Sequence, residues 1–222
     1  IEPKAAQTVG MVCRGATNAH AGPPPCPRHV FIKGQSVENA DSNVEILKFT
    51  SEDVFIKGAN AVDPEGTPGI YVSSTKAGTI GMAWPVVIPR GANLIVPVSL
   101  EKLVPCVIEA AKHTGLYYFK YTMGLPVKLI PVPLARVITE IQAFALLAGV
   151  KAYHVGSGGV GGSEGSVHLV LEGDEDSVQK AFELARSIKG EPAVSMPDNL
   201  FVSTPADFKY DAAAQLATLK GF

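Results

Sequence analysis

Polar residues and a glycine follow one short apolar run in the first half of the chain. The run 54–56 is followed by Lys57, Gly58, Asn60 and Asp63. If the run is a strand of a layered sheet, these residues lie at the carboxyl edge of the sheet, where α/β proteins place their sites. Glycine also lets the backbone come close to a ligand. The pattern therefore predicts a small-molecule site at this turn.

A glycine-rich segment, residues 156–165, allows three interpretations. Gly156, Gly158 and Gly161 match the dinucleotide-binding spacing GxGxxG, but that fingerprint needs a following helix, whereas residues 166–171 have a strand pattern. The segment could instead be a mobile hairpin loop, or a nest of backbone N–H groups that binds an anion or another ligand. Its candidate ligand-binding residues are Gly158, Gly159, Gly161, Gly162 and Glu164.

Three other residues have types that could do chemistry, and each has a commonplace alternative. Glu140 could be a buried acid placed for proton transfer, or a solvated carboxylate on a helix. His154 and His168 flank the glycine-rich segment, but two histidines make a poor metal site, so we expect no metal. No Ser-His-Asp spacing or nucleophile elbow is present in the sequence. Catalytic residues and cofactors therefore remain unassigned.

Charge and cysteine content narrow the class of protein. The formal net charge is −2, from 19 basic and 21 acidic residues dispersed along 222 positions, which argues against nucleic acid or an acidic membrane as a partner. Three cysteines form neither a disulfide framework nor a CxxC pair, and the longest apolar runs are about half of the roughly 20 residues of a membrane helix. We expect a cytoplasmic protein, although a processed N-terminus before Ile1 stays open.

The elements that must position these residues are short in the first half of the chain. Apolar runs alternate with glycine and proline, which is typical of strands covered on both faces. The predicted strands are residues 8–13, 29–33, 44–49, 54–57, 70–73 and 93–98. Pro105 is predicted to begin a helix that carries Val107, Ile108 and Ala111 on one face and ends at Gly115.

The second half has a more regular pattern of the order β-α-β-β-α. Its predicted elements are a strand at 129–132, a helix at 136–148 ended by Gly149, strands at 150–155 and 167–171, and a helix capped by Asp174. A further run at 200–203 would complete the βαββαβ order of a ferredoxin-like plait. Residues 212–219 are predicted to form a short helix.

A spaced set of motifs in residues 53–98 resembles a known superfamily. The set comprises a strand ending in KGANAVD, a later G-T-x-G that contains Gly78 and Thr79, an R-G-A and an apolar strand. It is similar to the core of the superfamily of ribose-5-phosphate isomerase, glucosamine-6-phosphate deaminase and CoA transferases. Within it, lactate-utilisation LUD-type domains and initiation factor 2B-like sugar-phosphate isomerases are the nearest in pattern.

This resemblance implies roles for two groups of residues. Gly58, Ala59, Asn60 and Asp63 would approach a sugar phosphate or an acyl carrier. Gly78 and Thr79 would belong to the loop on the phosphate side. The sequence lacks a glutamate placed like the CoA-transferase nucleophile and the cysteine-aspartate pair of the isomerases, so the resemblance implies no reaction.

Together these features predict an α/β protein with two parts. Residues 1–127 would form a layered α/β sheet domain of CoA transferase-like type, and residues 128–205 a ferredoxin-like α+β domain. Residues 206–222 would be a tail or helix that could return to the first domain. The predicted function is binding of a small, phosphorylated or acyl-CoA type ligand by a homo-oligomer. The alternative is a non-catalytic regulatory or assembly module with a ligand-binding glycine loop, which pairs through an edge strand.

Overall fold

The described chain contains several small sheets and five α-helices. The structure is a computed structural model that describes residues 10–13, 15–19 and 29–190. The strands are β1 (Gly10–Cys13), β2 (Ala16–Ala19), β3 (Phe31–Ile32), β4 (Gln35–Ser36), β5 (Val54–Ile56), β6 (Ala61–Val62), β7 (Pro68–Val72), β8 (Asn93–Pro97), β9 (Lys128–Pro131), β10 (Arg136–Ile138), β11 (Lys151–Ser157) and β12 (Val167–Glu172). The helices are α1 (Ser42–Glu45), α2 (Gly78–Val87), α3 (Val107–Lys112), α4 (Glu140–Ala148) and α5 (Glu175–Ile188), with 3-10 turns at Ile46–Lys48 and Leu100–Lys102.

A three-stranded parallel sheet positions the candidate site. Its order is β10-β8-β5, and Leu94 pairs with Phe55 while Val96 pairs with Val137. The helix α2 covers this sheet with Ala83 and Val87, which are fully buried in the same core cluster as Val96. All three strands run in the same direction, so their carboxyl ends lie at one edge.

A second, antiparallel sheet lies beside the first, with the order β6-β7-β9. Its register places Gly69 opposite Pro131 and Tyr71 opposite Leu129. Leu129 packs against Val107 and Ala111 of α3 in a separate buried cluster. A Cβ at position 69 would stand 2.7 Å from Leu129 Cδ1, so the glycine permits this close packing.

The hairpin β11–β12 forms a third unit with α4 and α5. Phe144 and Ala148 of α4 and Ala181 of α5 are buried against the inner face of the hairpin. Asp174 caps α5 as predicted, and Gly149 ends α4 in the left-handed conformation at φ 75°. Two further hairpins, β1–β2 and β3–β4, complete the described strands.

The α/β class is confirmed, and the strands at 54–57, 70–73, 93–98, 150–155 and 167–171 are present with small shifts of their ends. The strand predicted at 44–49 is wrong, because α1 and a 3-10 turn occupy these residues. Asp41 explains the difference: its side chain accepts a hydrogen bond from Asn43 N at 2.8 Å and starts the helix.

The predicted boundaries of two helices also differ from the structure. Residues 136–138 are the strand β10, and α4 begins after Thr139, which forms a capping box with Gln142. The helix α3 begins after Cys106, so Pro105 is not its first residue.

The predicted hydrophobic face and end of α3 are also corrected. Val107 and Ala111 are buried, whereas Ile108 is 47% exposed. The helix is capped by His113 at φ −98°, so Gly115 does not provide a left-handed end.

Strand pairing corrects the predicted start of the plait. The strand β9 pairs with β7 and β10 pairs with β8, whereas β11 and β12 pair with each other. Residues 128–138 therefore belong to sheets that they share with the first half of the chain, and a boundary at residue 128 separates paired strands. The predicted elements at 200–203 and 212–219 lie outside the described residues. Across the described ranges, none of the helices has the length and apolar character required to span a bilayer.

Candidate functional site

The turn at residues 57–60 lies at the carboxyl edge of the parallel sheet. Lys57 N donates a hydrogen bond of 3.0 Å to Ile95 O, which continues the pairing of β5 with β8 for one residue. Gly58 is exposed, and no atom lies within 4 Å of the place where its Cβ would be. The backbone at this position is therefore open to an approaching molecule.

One side of this turn borders a cavity of about 210 Å³, here named the α2 cavity. The turn contributes Lys57 and Asn60, and the first turn of α2 contributes Gly78 and Thr79. The remaining walls come from the β1–β2 hairpin, from β7 with the loop that follows it, and from α2: Gly10, Met11, Thr17, Asn18, Ala19, Ile70, Tyr71, Val72, Ser73, Ser74 and Ile80. Four of the predicted site residues, from two separate segments, thus line one cavity.

The N-terminus of α2 gives the cavity a positive end. Ala77 precedes the helix in the left-handed conformation, at φ 57°, and Gly78 follows at φ 54°. The N-cap residue Ala77 makes no side-chain capping hydrogen bond, because alanine has no acceptor at the position where serine or aspartate usually stands. The N-cap residue therefore adds no carboxylate that would neutralise the partial positive charge of this helix N-terminus.

Hydrogen bonds fix the two polar residues of the turn. Asn60 Oδ1 accepts from Tyr71 N at 3.0 Å, and Asn60 N donates to Gly69 O at 2.8 Å. These bonds hold the turn against β7. The half-buried Lys57 places its Nζ 3.4 Å from Gly58 O, at the rim of the same turn.

Asp63 does not belong to this cavity, which corrects the prediction from sequence. It is only 4% exposed, and its carboxylate accepts from Thr67 N at 2.7 Å and from Val107 N at 2.9 Å. These two bonds close the turn at 63–67 and fix the start of α3. The acidic side chain is used to satisfy buried backbone N–H groups, and its role is structural.

The other side of the turn borders a second cavity of about 370 Å³, here named the edge cavity. It lies across the carboxyl ends of all three parallel strands and is lined by Gly58, Ala59, Pro97, Val98, Ser99, Lys102, Ile138, Thr139, Glu140 and Ala143. Glu140 Oε2 accepts from Leu100 N at 2.9 Å, and Lys102 Nζ donates to Ala59 O at 3.2 Å. Glu140 is half-buried, intermediate between the two states considered from sequence.

The glycine-rich segment is a hairpin loop that lines neither of these two cavities. It connects β11 to β12, and its residues 158–165 are exposed. Gly162 N donates to Glu164 Oε2 at 2.9 Å. Hydrogen bonds from the backbone N–H of Glu164 itself and from that of Gly162 lower the pKa of the Glu164 carboxyl. The loop thus directs its N–H groups at its own carboxylate, which disfavours binding of an external anion there.

The two histidines do not face each other. His154 lies opposite Leu169, while His168 lies opposite Gly156 on the other face of the hairpin. His154 Nε2 is 2.7 Å from Ser157 Oγ. In the part of the chain that the structure describes, no group of three or more His, Cys, Asp or Glu side chains is placed to hold a metal ion.

Sequence reasoning missed Ser73 and Ser74 of the α2 cavity. A polar loop between a strand and a helix N-terminus commonly binds anions. The signal that could have found these serines is such a loop, with the sequence Ser-Ser-Thr-Lys-Ala-Gly-Thr, between a strand and a helix. Pro85 lies inside α2, and a proline at an interior position weakens the helical pattern of this segment. Thr17 and Asn18, from a distant hairpin, had no such signal.

Comparisons with known proteins identify no relative of this chain. The chain matches no protein-family model, no curated protein and no solved structure.

Proposed function

We propose that this protein binds a small phosphorylated molecule and holds its phosphate group in the α2 cavity. The observation that carries the proposal is the convergence of Lys57, Asn60, Gly78 and Thr79 on one cavity at the N-terminus of a ten-residue helix. The superfamily resemblance, which implies a turn and a phosphate-side loop at these positions, supports the same assignment.

The chemistry of the lining favours an anion. A helix N-terminus carries roughly half a positive charge, and the Lys57 ammonium adds a full one. Ser73, Ser74 and Thr79 add hydroxyl groups that can donate to phosphate oxygens. None of the described residues that line the cavity is acidic, so nothing in this lining repels the ligand.

The sizes of the two cavities suggest how a ligand is divided between them. The α2 cavity, at about 210 Å³, is below the roughly 300–1,000 Å³ of pockets for drug-sized ligands. It suits a phosphate group with a few more atoms. In our proposal the remainder of a sugar phosphate or acyl-CoA type ligand passes the turn at Gly58 and occupies the edge cavity, beside Glu140 and Lys102.

Isothermal titration calorimetry tests this function. The ligands are inorganic phosphate, a phosphorylated sugar, the same sugar without phosphate, and CoA. We expect binding only when a phosphate group is present, and Lys57→Ala should weaken it about tenfold or more, because a hydrogen bond to a charged group contributes about 1.5–3 kcal/mol. Lys180→Ala, on the exposed surface of α5, is the matched control. Equal affinity for the unphosphorylated sugar would contradict the proposal.

The alternative of a regulatory module with a ligand-binding glycine loop remains a prediction. The same titration separates the two, because a ligand held by the loop would bind equally well to Lys57→Ala. Substitution of Glu164 by Gln would then alter the affinity, since its carboxylate accepts from Gly162 N.

A further inference from the structure

Within residues 29–190, the β11–β12 hairpin is covered by other elements on one face only. Its inner face carries Ala152, Leu169 and Leu171, which pack against α4 and α5. The outer face carries Lys151, Tyr153, Val155, His168, Val170 and Glu172, all exposed. Tyr153, Val155 and Val170 are 46%, 64% and 52% exposed. A two-stranded sheet is marginally stable on its own, and the two described helices that pack on this one, α4 and α5, both support its inner face.

The outer face is complementary to itself. The register sets Lys151 opposite Glu172 and Tyr153 opposite Val170, so a cation and an anion stand side by side at one end, followed by an aromatic and an aliphatic residue. A twofold axis parallel to the strands places β11 of one copy over β12 of another. Lys151 then meets Glu172 of the partner subunit, and Tyr153 meets Val170 of the partner subunit, each contact occurring twice.

We propose that this outer face binds the same face of a second copy of the chain in that arrangement. A wholly acidic or basic partner would oppose one member of the Lys151 and Glu172 pair, whereas a second copy satisfies both charges. The same arrangement also covers Tyr153 and Val170 of each copy. The proposal is independent of the ligand site, because none of these residues lines either cavity.

The size of the face sets the expected strength of the dimer. The strand β12 has 6 residues. At the usual rise and strand spacing, the two strands cover roughly 20 Å by 10 Å. Interfaces that bury less than about 1,200 Å² are typical of transient complexes. The dimer is therefore weak and in concentration-dependent exchange with the monomer.

Charge exchange across the interface tests this arrangement. In Lys151→Glu, a glutamate meets a glutamate at both of these contacts, which lie side by side at one end of the dimer, and in Glu172→Lys a lysine meets a lysine at both. Each single variant should therefore remain monomeric. An equimolar mixture restores both contacts between unlike charges, so the mixture should form a heterodimer. The control is Lys180→Glu, an equal charge change on α5 away from this face, which should dimerise like the unmodified chain.

Association is measured by sedimentation velocity over a series of protein concentrations. The series extends to about 1 mM, a dissociation constant at the weak end of specific binding. We expect the weight-average mass of the unmodified chain to rise toward twice the monomer mass. The mixture is decisive because each variant keeps like charges opposite each other within its own hairpin, so only contacts between chains can restore association. A strictly monomeric unmodified chain, or a mixture as monomeric as its components, would overturn the proposal.

Discussion

Lys57 and Asp63 lie in two successive turns, at 57–60 and 63–67, and serve different purposes. Lys57 follows β5 directly, and Asp63 follows β6 directly. Lys57 lines the α2 cavity, whereas the Asp63 carboxylate is buried and bonded to two backbone N–H groups. One of these N–H groups belongs to Val107, which lies 44 positions away along the chain, so the carboxylate joins two distant segments.

Removal of the Asp63 carboxylate should destabilise the fold. In Asp63→Ala, the buried N–H of Val107 and the half-buried N–H of Thr67 lose their acceptor, and each such loss costs about 1–3 kcal/mol. We expect the free energy of unfolding in urea to fall by about 2–6 kcal/mol. Glu65→Ala, an exposed carboxylate of the same turn, is the control and should leave stability unchanged. Full stability of Asp63→Ala together with lost phosphate binding would instead place Asp63 in the ligand site.

Asp174 should give α5 a stability that depends on pH. The backbone N–H of Ser177 and then its hydroxyl donate to the carboxylate and lower the pKa of Asp174. Because the folded-state pKa lies below the unfolded one, this contribution is complete above the unfolded pKa and is lost as the pH falls through the folded pKa.

Two substitutions separate the cap from its charge. Asp174→Asn keeps a capping side chain but has no carboxyl group to titrate. Its melting temperature should therefore fall less on acidification than that of the unmodified chain. Asp174→Ala should lower the melting temperature at neutral pH as well. The measurement is thermal unfolding by circular dichroism over a pH series. An unchanged acid dependence in Asp174→Asn would show that the carboxyl does not contribute.

The helix α2 supplies one end of the candidate site, and the sequence pattern did not predict it. Pro85 in its second turn removes the hydrogen bond that position 85 would donate to Gly81 O, which argues against a helix. Burial of Ile80, Ala83 and Val87 at helical spacing outweighs this loss. Such an outcome depends on the sheet that the helix covers, so a local pattern could not reveal it.

Gly81 should be essential for the start of α2. A Cβ at this position would stand 2.6 Å from the Ala77 Cβ and would also press on Lys76 O. We expect Gly81→Ala to lower the free energy of unfolding by about 1–3 kcal/mol. It should also weaken phosphate binding, because the loop before the helix must shift. Both effects can be measured by urea denaturation and calorimetry.

Gly58 offers a matched control for that substitution. It lies in the turn on the other side of the α2 cavity, and no atom stands within 4 Å of its Cβ position. Gly58→Ala should therefore leave stability nearly unchanged. Equal losses of stability in the two variants would contradict the packing argument.

Across the whole molecule, the sequence predicted the class and most of the strands but not their pairing. Alternating apolar runs and helix caps are local signals, and they identified β5, β8, β11, β12 and the start of α5. The pairing of β9 with β7 is set by residues such as Leu129 and Tyr71, which are far apart along the chain. A pattern in one sequence carries little information about such partners, so the domain boundary was placed between strands that pair.

The central claim is that the α2 cavity binds phosphate. A titration with inorganic phosphate, monitored through the amide chemical shifts in NMR spectra, tests this claim most directly. We predict saturable shifts at the amides of Lys57, Ser73, Ser74, Gly78 and Thr79, because these groups line the α2 cavity. The amides of the glycine loop at 158–165 should stay unchanged. Shifts confined to that loop, or no saturable shift at the α2 cavity, would contradict the account.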